Sequence, residues 1–263
     1  MKILFIFLLT VIISSQEIIN IWKDNIPYDN GEKAELSIYF PDSKKSTGRA
    51  IVICPGGAYR ILSMEHEGSD WAPYFNQQGI TVFVLKYRFP KGNYKVPISD
   101  AEEAIKIIRR NAQKWKINPK DIGIMGFSAG GHLASTIATH SIGDAKPDFQ
   151  ILFYPVITMN PSFTHKGSMS NFLGRNPKQK MIDQYSNDLQ ITYDTPRVFL
   201  VLCTDDTAVP PINGLNYYQE CNNYGVPASI HIYPAGGHGW GYWASFDYHL
   251  EVLIELKKWL QSF

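Results

Sequence analysis

Short, almost wholly apolar runs recur along this chain, and nearly every one is followed by a stretch with helical periodicity. Residues 50–54, 80–85, 122–126, 149–154, 198–203 and 229–233 are runs of this kind. A strand that is apolar at every position has both faces buried, which happens in a mostly parallel sheet covered by helices on each side. The expected class is therefore α/β: a mostly parallel twisted sheet flanked by helices on both faces. Residues 35–40 alternate instead and stop at Pro41, the pattern of an edge strand. Helical patterns fall at 68–78, closed by Gly79, and at 129–140, 212–224 and 246–260. Ser99-x-x-Glu102 reads as a capping box opening a helix whose inner face carries Ala101, Ala104, Ile105, Ile108 and Ala112.

At 263 residues the chain has room for one large domain with a core that needs no covalent staples. Its 44% hydrophobic and 19% charged content excludes a disordered chain. A net charge of +1 leaves no surplus to neutralise phosphates, so no nucleic-acid partner is expected. Three cysteines without a CxxC spacing make neither a disulfide framework nor a zinc site; Cys54 and Cys203 end apolar runs and read as buried strand residues. The first residues have a processing pattern: Lys2, an apolar stretch 3–13 interrupted only by Thr10, then Ser14-Ser15-Gln16. That stretch is too short to span a bilayer and suits a signal peptide. The expectation is a signal at 1–15, export to the periplasm or the medium, and a single domain at 16–263 with no stable membrane anchor after cleavage. Residues 157–196, with Pro161, Pro177, Pro196, Gly167 and Gly174, are too long for an ordinary connection and are expected to form a lid-like insertion.

The chemistry centres on Gly126-Phe127-Ser128-Ala129-Gly130-Gly131. A strand enters this GxSxG and a helix leaves it, which pushes the serine out above the sheet edge on a turn tolerant only of small neighbours. The N–H of Ala129 opens that helix, where an oxyanion would gather. A serine hydroxyl needs a base, and the base needs an orienting acid. Asp206 follows the run 198–203, and His238 lies in Gly236-Gly237-His238-Gly239-Trp240 after the run 229–233. All three candidates thus follow strand C-termini, where open α/β sheets hold their sites. Asp205 competes with Asp206 for the acid role. Cys54-Pro55-Gly56-Gly57-Ala58-Tyr59 follows another strand, and Gly57 or Ala58 is expected to supply the second oxyanion donor. His132 is expected to pack or hydrogen-bond along the helix. His66, His140, His165, His231 and His249 lack a glycine-rich loop after a strand and read as structural or solvated, His66 being the one close to the oxyanion loop.

The set CPGGAYRILSMEHEG, VLKYRFPKG, VPISDAEEAI, IGIMGFSAGGHLAS, FQILFYPVITM, GSMSNFLG, SNDLQITYDTP, DDTAVPPING and YPAGGHGWG, in this order, resembles the α/β-hydrolases, and among them the acetyl-esterase and acetylxylan-esterase-like group. The resemblance implies hydrolysis of small acyl esters, typically acetyl groups on sugars, with Ser128 as nucleophile, Asp206 as acid and His238 as base. It also implies oxyanion donors at Gly57, Ala58 and Ala129. The family often has a third glycine where Ala58 stands. No metal or organic cofactor is expected, and the expected partner is a small-molecule or oligosaccharide acetyl ester. Tyr59, His66, Glu67 and Trp240 flank the site loops and are candidate sugar contacts. A serine peptidase of the prolyl-oligopeptidase or acylaminoacyl type shares the catalytic order but usually carries a large additional domain. A non-catalytic binding protein on the same fold would be expected to have lost a triad member.

Overall fold

The computed structural model describes residues 16–263, so the expected signal peptide at 1–15 lies outside the described residues. In chain order the elements are β1 (Gln16–Asn20), β2 (Glu35–Tyr39), β3 (Ala50–Cys54), α1 (Ala72–Gln77), β4 (Thr81–Lys86), α2 (Lys95–Arg110), α3 (Ala112–Trp115), β5 (Ile122–Phe127) and α4 (Ser128–His140). They continue with β6 (Phe149–Phe153), α5 (Lys166–Leu173), α6 (Gln179–Gln184), β7 (Val198–Cys203), α7 (Ile212–Asn223), β8 (Ala228–Tyr233) and α8 (His249–Leu260). The eight strands form one sheet in the order β1-β2-β4-β3-β5-β6-β7-β8. β1 and β2 run antiparallel at one edge, and every pair from β4 to β8 is parallel. This is the mostly parallel, helix-covered sheet expected from the apolar runs.

Strands β3, β5, β6 and β7 are buried at every position, because both of their faces are covered. Along β3 the side chains alternate: Ile51 and Ile53 pack with Trp71, Phe75, Val252 and Leu256 of the α1 and α8 side. Val52 and Cys54 pack with Ala104, Ile108, Leu133 and Tyr217 from α2, α4 and α7. The three cysteines, Cys54, Cys203 and Cys221, are free and buried. Among the described residues no helix is long and apolar enough to cross a membrane.

Three expectations are corrected. The run at 35–40 is not the edge strand: β1, to which no element had been assigned, pairs outside it. Only Leu36 and Ile38 of β2 are buried, so its alternation marks a one-sided strand rather than a terminal one. Ser99 caps nothing. The helix begins at Lys95, its first turn accommodates Pro97, and the Ser99 hydroxyl donates back to the Val96 carbonyl at 2.7 Å inside the helix. Of the expected inner face, Ala101, Ala104, Ile105 and Ile108 are fully buried on α2, whereas Ala112 is buried on the separate helix α3. Finally, 157–196, which shows little helical periodicity, holds two helices, α5 and α6. Phe172, Ile182 and Tyr185 of this segment join the core. Asn187 donates to the His132 carbonyl and to the Ser135 and Thr136 hydroxyls of α4. The segment is a packed roof over α4.

One buried ion pair ties the lower-numbered half together. Arg88, just past β4, and Asp100 of α2 are both fully buried and meet at 2.7 Å. Asp100 also accepts the Arg88 backbone N–H at 2.9 Å and the Trp22 indole N–H at 2.6 Å, while Arg88 Nη1 donates to the Pro27 carbonyl at 3.0 Å.

Candidate active site

Ser128 is the first residue of α4 and has φ +52°, a left-handed conformation, directly after extended Phe127. Such backbone costs about 1–2 kcal/mol for a residue with a Cβ and persists because its surroundings hold it. The glycines around it serve close approach. A Cβ on Gly126 would stand 2.2 Å from the Gly130 carbonyl oxygen, and one on Gly130 would stand 2.1 Å from the Cys54 oxygen. The strand, the helix and the loop after β3 are thereby pressed together around the serine.

The serine hydroxyl lies 2.8 Å from His238 Nε2, and His238 Nδ1 lies 2.7 Å from Asp206 Oδ2. A carboxylate only accepts, so Nδ1 carries a proton, and in the neutral ring the Nε2 lone pair faces Ser128. Asp206 has little other freedom, since its Oδ1 accepts the backbone N–H groups of Ala208 and Val209 at 2.9 Å each. Its side chain is only 2% exposed. Asp205, the competing acid, faces elsewhere: its carboxylate accepts the N–H groups of Gly236 and Gly237 at 3.2 and 2.8 Å and so anchors the loop that carries His238. Those two hydrogen bonds, Gly237's first, lower its pKa.

Two further residues stand behind this relay. Tyr154, just past β6, sets its ring edge-on to His238 at 4.8 Å. Its hydroxyl donates to Glu67 Oε1 at 2.8 Å and accepts the Gly241 N–H at 2.8 Å. Glu67 Oε2 in turn accepts the Gly56 N–H at 2.9 Å. Glu67, 3% exposed, therefore braces the loop after β3 against the loop carrying His238, with both oxygens engaged. Burial raises its pKa, opposed by the Tyr154 hydrogen bond and the nearby His66. Tyr154 was missed in the sequence; its position just past a parallel strand, shared by Ser128, Asp206 and His238, was the signal that marked it.

The loop after β3 turns back sharply. Gly57 has φ +126°, and a Cβ there would lie 2.3 Å from the Ile61 carbonyl oxygen. Ala58 and Tyr59 follow at φ +56° and +59°. Among the described residues no hydrogen bond uses the N–H of Gly57, Ala58 or Ala129. Gly57, Ala58, His66, Ser128, His165 and His238 line one cleft of about 600 Å³.

Of the four candidate sugar contacts, His66 alone presents a ring to this cleft. It stacks on Trp243 at 4.3 Å, and Trp243 is 51% exposed. Tyr59 is instead sealed in the core, its hydroxyl 2.9 Å from His132 Nδ1 and its ring stacked on Phe172 at 4.8 Å. Trp240 is sealed against Phe246 at 3.8 Å. Both aromatics follow strands, but their side chains turn inward. His132 bridges Tyr59 and the Tyr185 carbonyl, and burial lowers its pKa to about 3.

Residues 36–220 match the family described as BD-FAE. An acetylxylan esterase of Xylanibacter ruminicola is 44% identical over 238 residues, 89% of this chain and 49% of that protein. Endo-1,4-beta-xylanase B of Butyrivibrio fibrisolvens is 30% identical over 264 residues, 90% of this chain and 41% of that protein. The chain thus spans half or less of the length of these two relatives. A crystal structure of an acetyl ester-xyloside bifunctional hydrolase from Caldicellulosiruptor lactoaceticus superimposes with a TM-score of 0.89 at 33% identity, covering 96% of this chain and 98% of that one. With most of its length matched by the family and nearly all of it by a solved relative, the chain belongs to the BD-FAE family of α/β-hydrolases.

Proposed function

We propose that this chain is a serine esterase that removes acetyl groups from xylan-type oligo- or polysaccharides through an acyl-enzyme. The observation that carries the reading is the unbroken relay from Ser128 Oγ through His238 to Asp206, with the serine opening on the cleft. In this reading His238 takes the Ser128 proton as the oxygen attacks the acetyl carbonyl. Asp206 holds the imidazole in its Nδ1–H form and stabilises the imidazolium. The N–H groups of Gly57, Ala58 and Ala129 receive the oxyanion, each such donor being worth about 3 kcal/mol of barrier. His238 then passes its proton to the departing sugar oxygen, and water repeats the sequence on the acetyl-enzyme.

The sugar assignment draws on the names of the relatives and on the exposed Trp243 beside His66, since an indole face suits a pyranose ring. Residues 1–15 act, in this reading, as an export signal and 16–263 as one catalytic domain. The test is acetate release from acetylated xylo-oligosaccharides, set against cleavage of p-nitrophenyl acetate, butyrate and octanoate, with Ser128→Ala beside the unmodified chain. Acetate release from the sugars, lost in the variant, is the expected result. Turnover of the model esters with no acetate from any acetylated sugar would overturn the substrate, and an active Ser128→Ala would overturn the mechanism.

A further inference from the structure

His165 stands at the head of α5, in the segment roofing α4. Its Nδ1 accepts the Ser168 backbone N–H at 3.2 Å and lies 2.8 Å from the Ser168 hydroxyl. A backbone N–H can only donate, so Nδ1 holds a lone pair and the proton of the neutral ring belongs to Nε2. Among the described residues Nε2 has no hydrogen-bond partner, and the ring lines the cleft with Ser128, Ala208 and His238. Burial and the neighbouring His238 hold the pKa of His165 below its ordinary value. In the neutral ring Nδ1 is committed to the helix, and Nε2, at the far side of a ring that lines the cleft, carries the one N–H donor.

We infer that His165 binds the leaving alcohol of the ester, donating from Nε2–H to a hydroxyl or ring oxygen of the sugar being deacetylated. The inference rests on the esterase reading above. His165 lines the same cleft as Ser128 and His238, the pair through which the proposed mechanism hands a proton to the departing oxygen. The proposed oxyanion donors of the loop after β3 come from a different element. A neutral, single donor matches the neutral acceptors that crowd a sugar and gives no advantage to an anion. With Nδ1 engaged, the ring has no free lone pair with which to act as a second base.

Two substitutions separate binding from helix capping. In His165→Asn the short amide still accepts the Ser168 N–H, as asparagine commonly does at this position, while the donor is withdrawn from the cleft. In His165→Gln an amide donor again reaches outward. The quantity read is kcat/KM on monoacetylated xylotriose divided by kcat/KM on p-nitrophenyl acetate, whose leaving group has no hydroxyl. One neutral hydrogen bond predicts a fall of about fivefold to tenfold in that ratio for His165→Asn, carried by KM, with partial recovery in His165→Gln. An unchanged ratio, whether both activities hold or both fall together, overturns the inference and leaves the esterase reading standing. Failure of the unmodified chain to cleave acetylated xylotriose while it cleaves p-nitrophenyl acetate overturns the sugar assignment and this inference with it.

Discussion

Asp206→Asn is the sharpest probe of the relay, because the structure dictates how the new amide must sit. Oδ1 of Asp206 accepts two backbone N–H groups, from Ala208 and Val209, at 2.9 Å each. An amide NH₂ cannot replace that oxygen without setting donor against donor, so the asparagine carbonyl must stay there. Its NH₂ is then left at the position of Oδ2, 2.7 Å from His238 Nδ1. Facing a donor, His238 must present a lone pair at Nδ1 and carry its proton on Nε2, so that it donates to Ser128 when it should accept. The base is blocked without any loss of packing. A wrong-tautomer relay of this kind costs about 10⁴-fold in kcat, or about 5 kcal/mol of barrier, as seen in another serine hydrolase. The assay is steady-state cleavage of p-nitrophenyl acetate at pH 7.5, with a thermal melt of the same preparation. The melt is expected to move by only a few degrees, since both backbone bonds survive. Asp205→Asn is the control: it touches only the Gly236 and Gly237 amides, and kcat is expected to fall by less than about tenfold. An Asp206→Asn protein within tenfold of the unmodified rate would refute the reasoning, and a large loss in Asp205→Asn with none in Asp206→Asn would reverse the two roles.

Asp100→Asn leaves the Arg88 guanidinium buried without a counter-charge and is expected to cost about 3–5 kcal/mol, lowering Tm by about 6–20 °C in a calorimetric scan; replacing both partners by Leu and Met should recover most of that loss, and a single variant that melts normally would contradict the assignment. Ala58→Gly relieves a left-handed alanine and should raise the urea midpoint by an amount equivalent to about 1 kcal/mol, whereas a lowered midpoint would mean that the loop is not strained there. His132 titrates near 6.5 when unfolded and near about 3 when folded, so the unfolded chain binds the extra proton between those values. Its contribution to stability is complete above pH 6.5 and declines as the pH falls toward 3. Between pH 7 and 5 this amounts to about 2 kcal/mol, measurable as the difference in urea stability between the chain and His132→Gln at the two pH values; identical pH dependence in both proteins would refute it.

The parts of the molecule that the sequence disclosed are those where a local pattern and the global fold agree. The runs at 50–54 and 198–203 coincide with β3 and β7 because strands buried on both faces have no polar positions to blur their ends. Ser128 and Asp206 were readable because each follows such a strand within a few residues, and His238 because its glycine-rich loop follows β8, a half-exposed edge strand. β1 escaped because five residues with a mixed pattern become a strand only through pairing with β2. Ser99 misled because S-x-x-E has the same appearance inside a helix as at its start, and only the hydrogen bond to Val96 distinguishes the two. Helices α5 and α6 escaped because their apolar contacts, Phe172 and Ile182, are sparse among Asn, Ser and Lys, and tertiary packing supplies what periodicity does not signal. The candidate sugar contacts were the least legible. Tyr59, Trp240 and Trp243 are equally aromatic in one dimension, and only the side to which each backbone turns decides which of them meets solvent.

In the proposed mechanism the parallel sheet also gives the molecule a working end and an idle end. Ser128, Asp206 and His238 all follow strand C-termini, while α4 carries the chain away from the serine for thirteen residues, about 20 Å at helical rise. It delivers the chain to the turn at 141–148, where Ile142 is 84% exposed and a side chain added at Gly143 would meet nothing. That turn is a natural anchoring point: a cysteine placed at Ile142 and coupled to a solid support would hold the protein by its idle end, leaving the cleft directed outward toward a polymer in suspension.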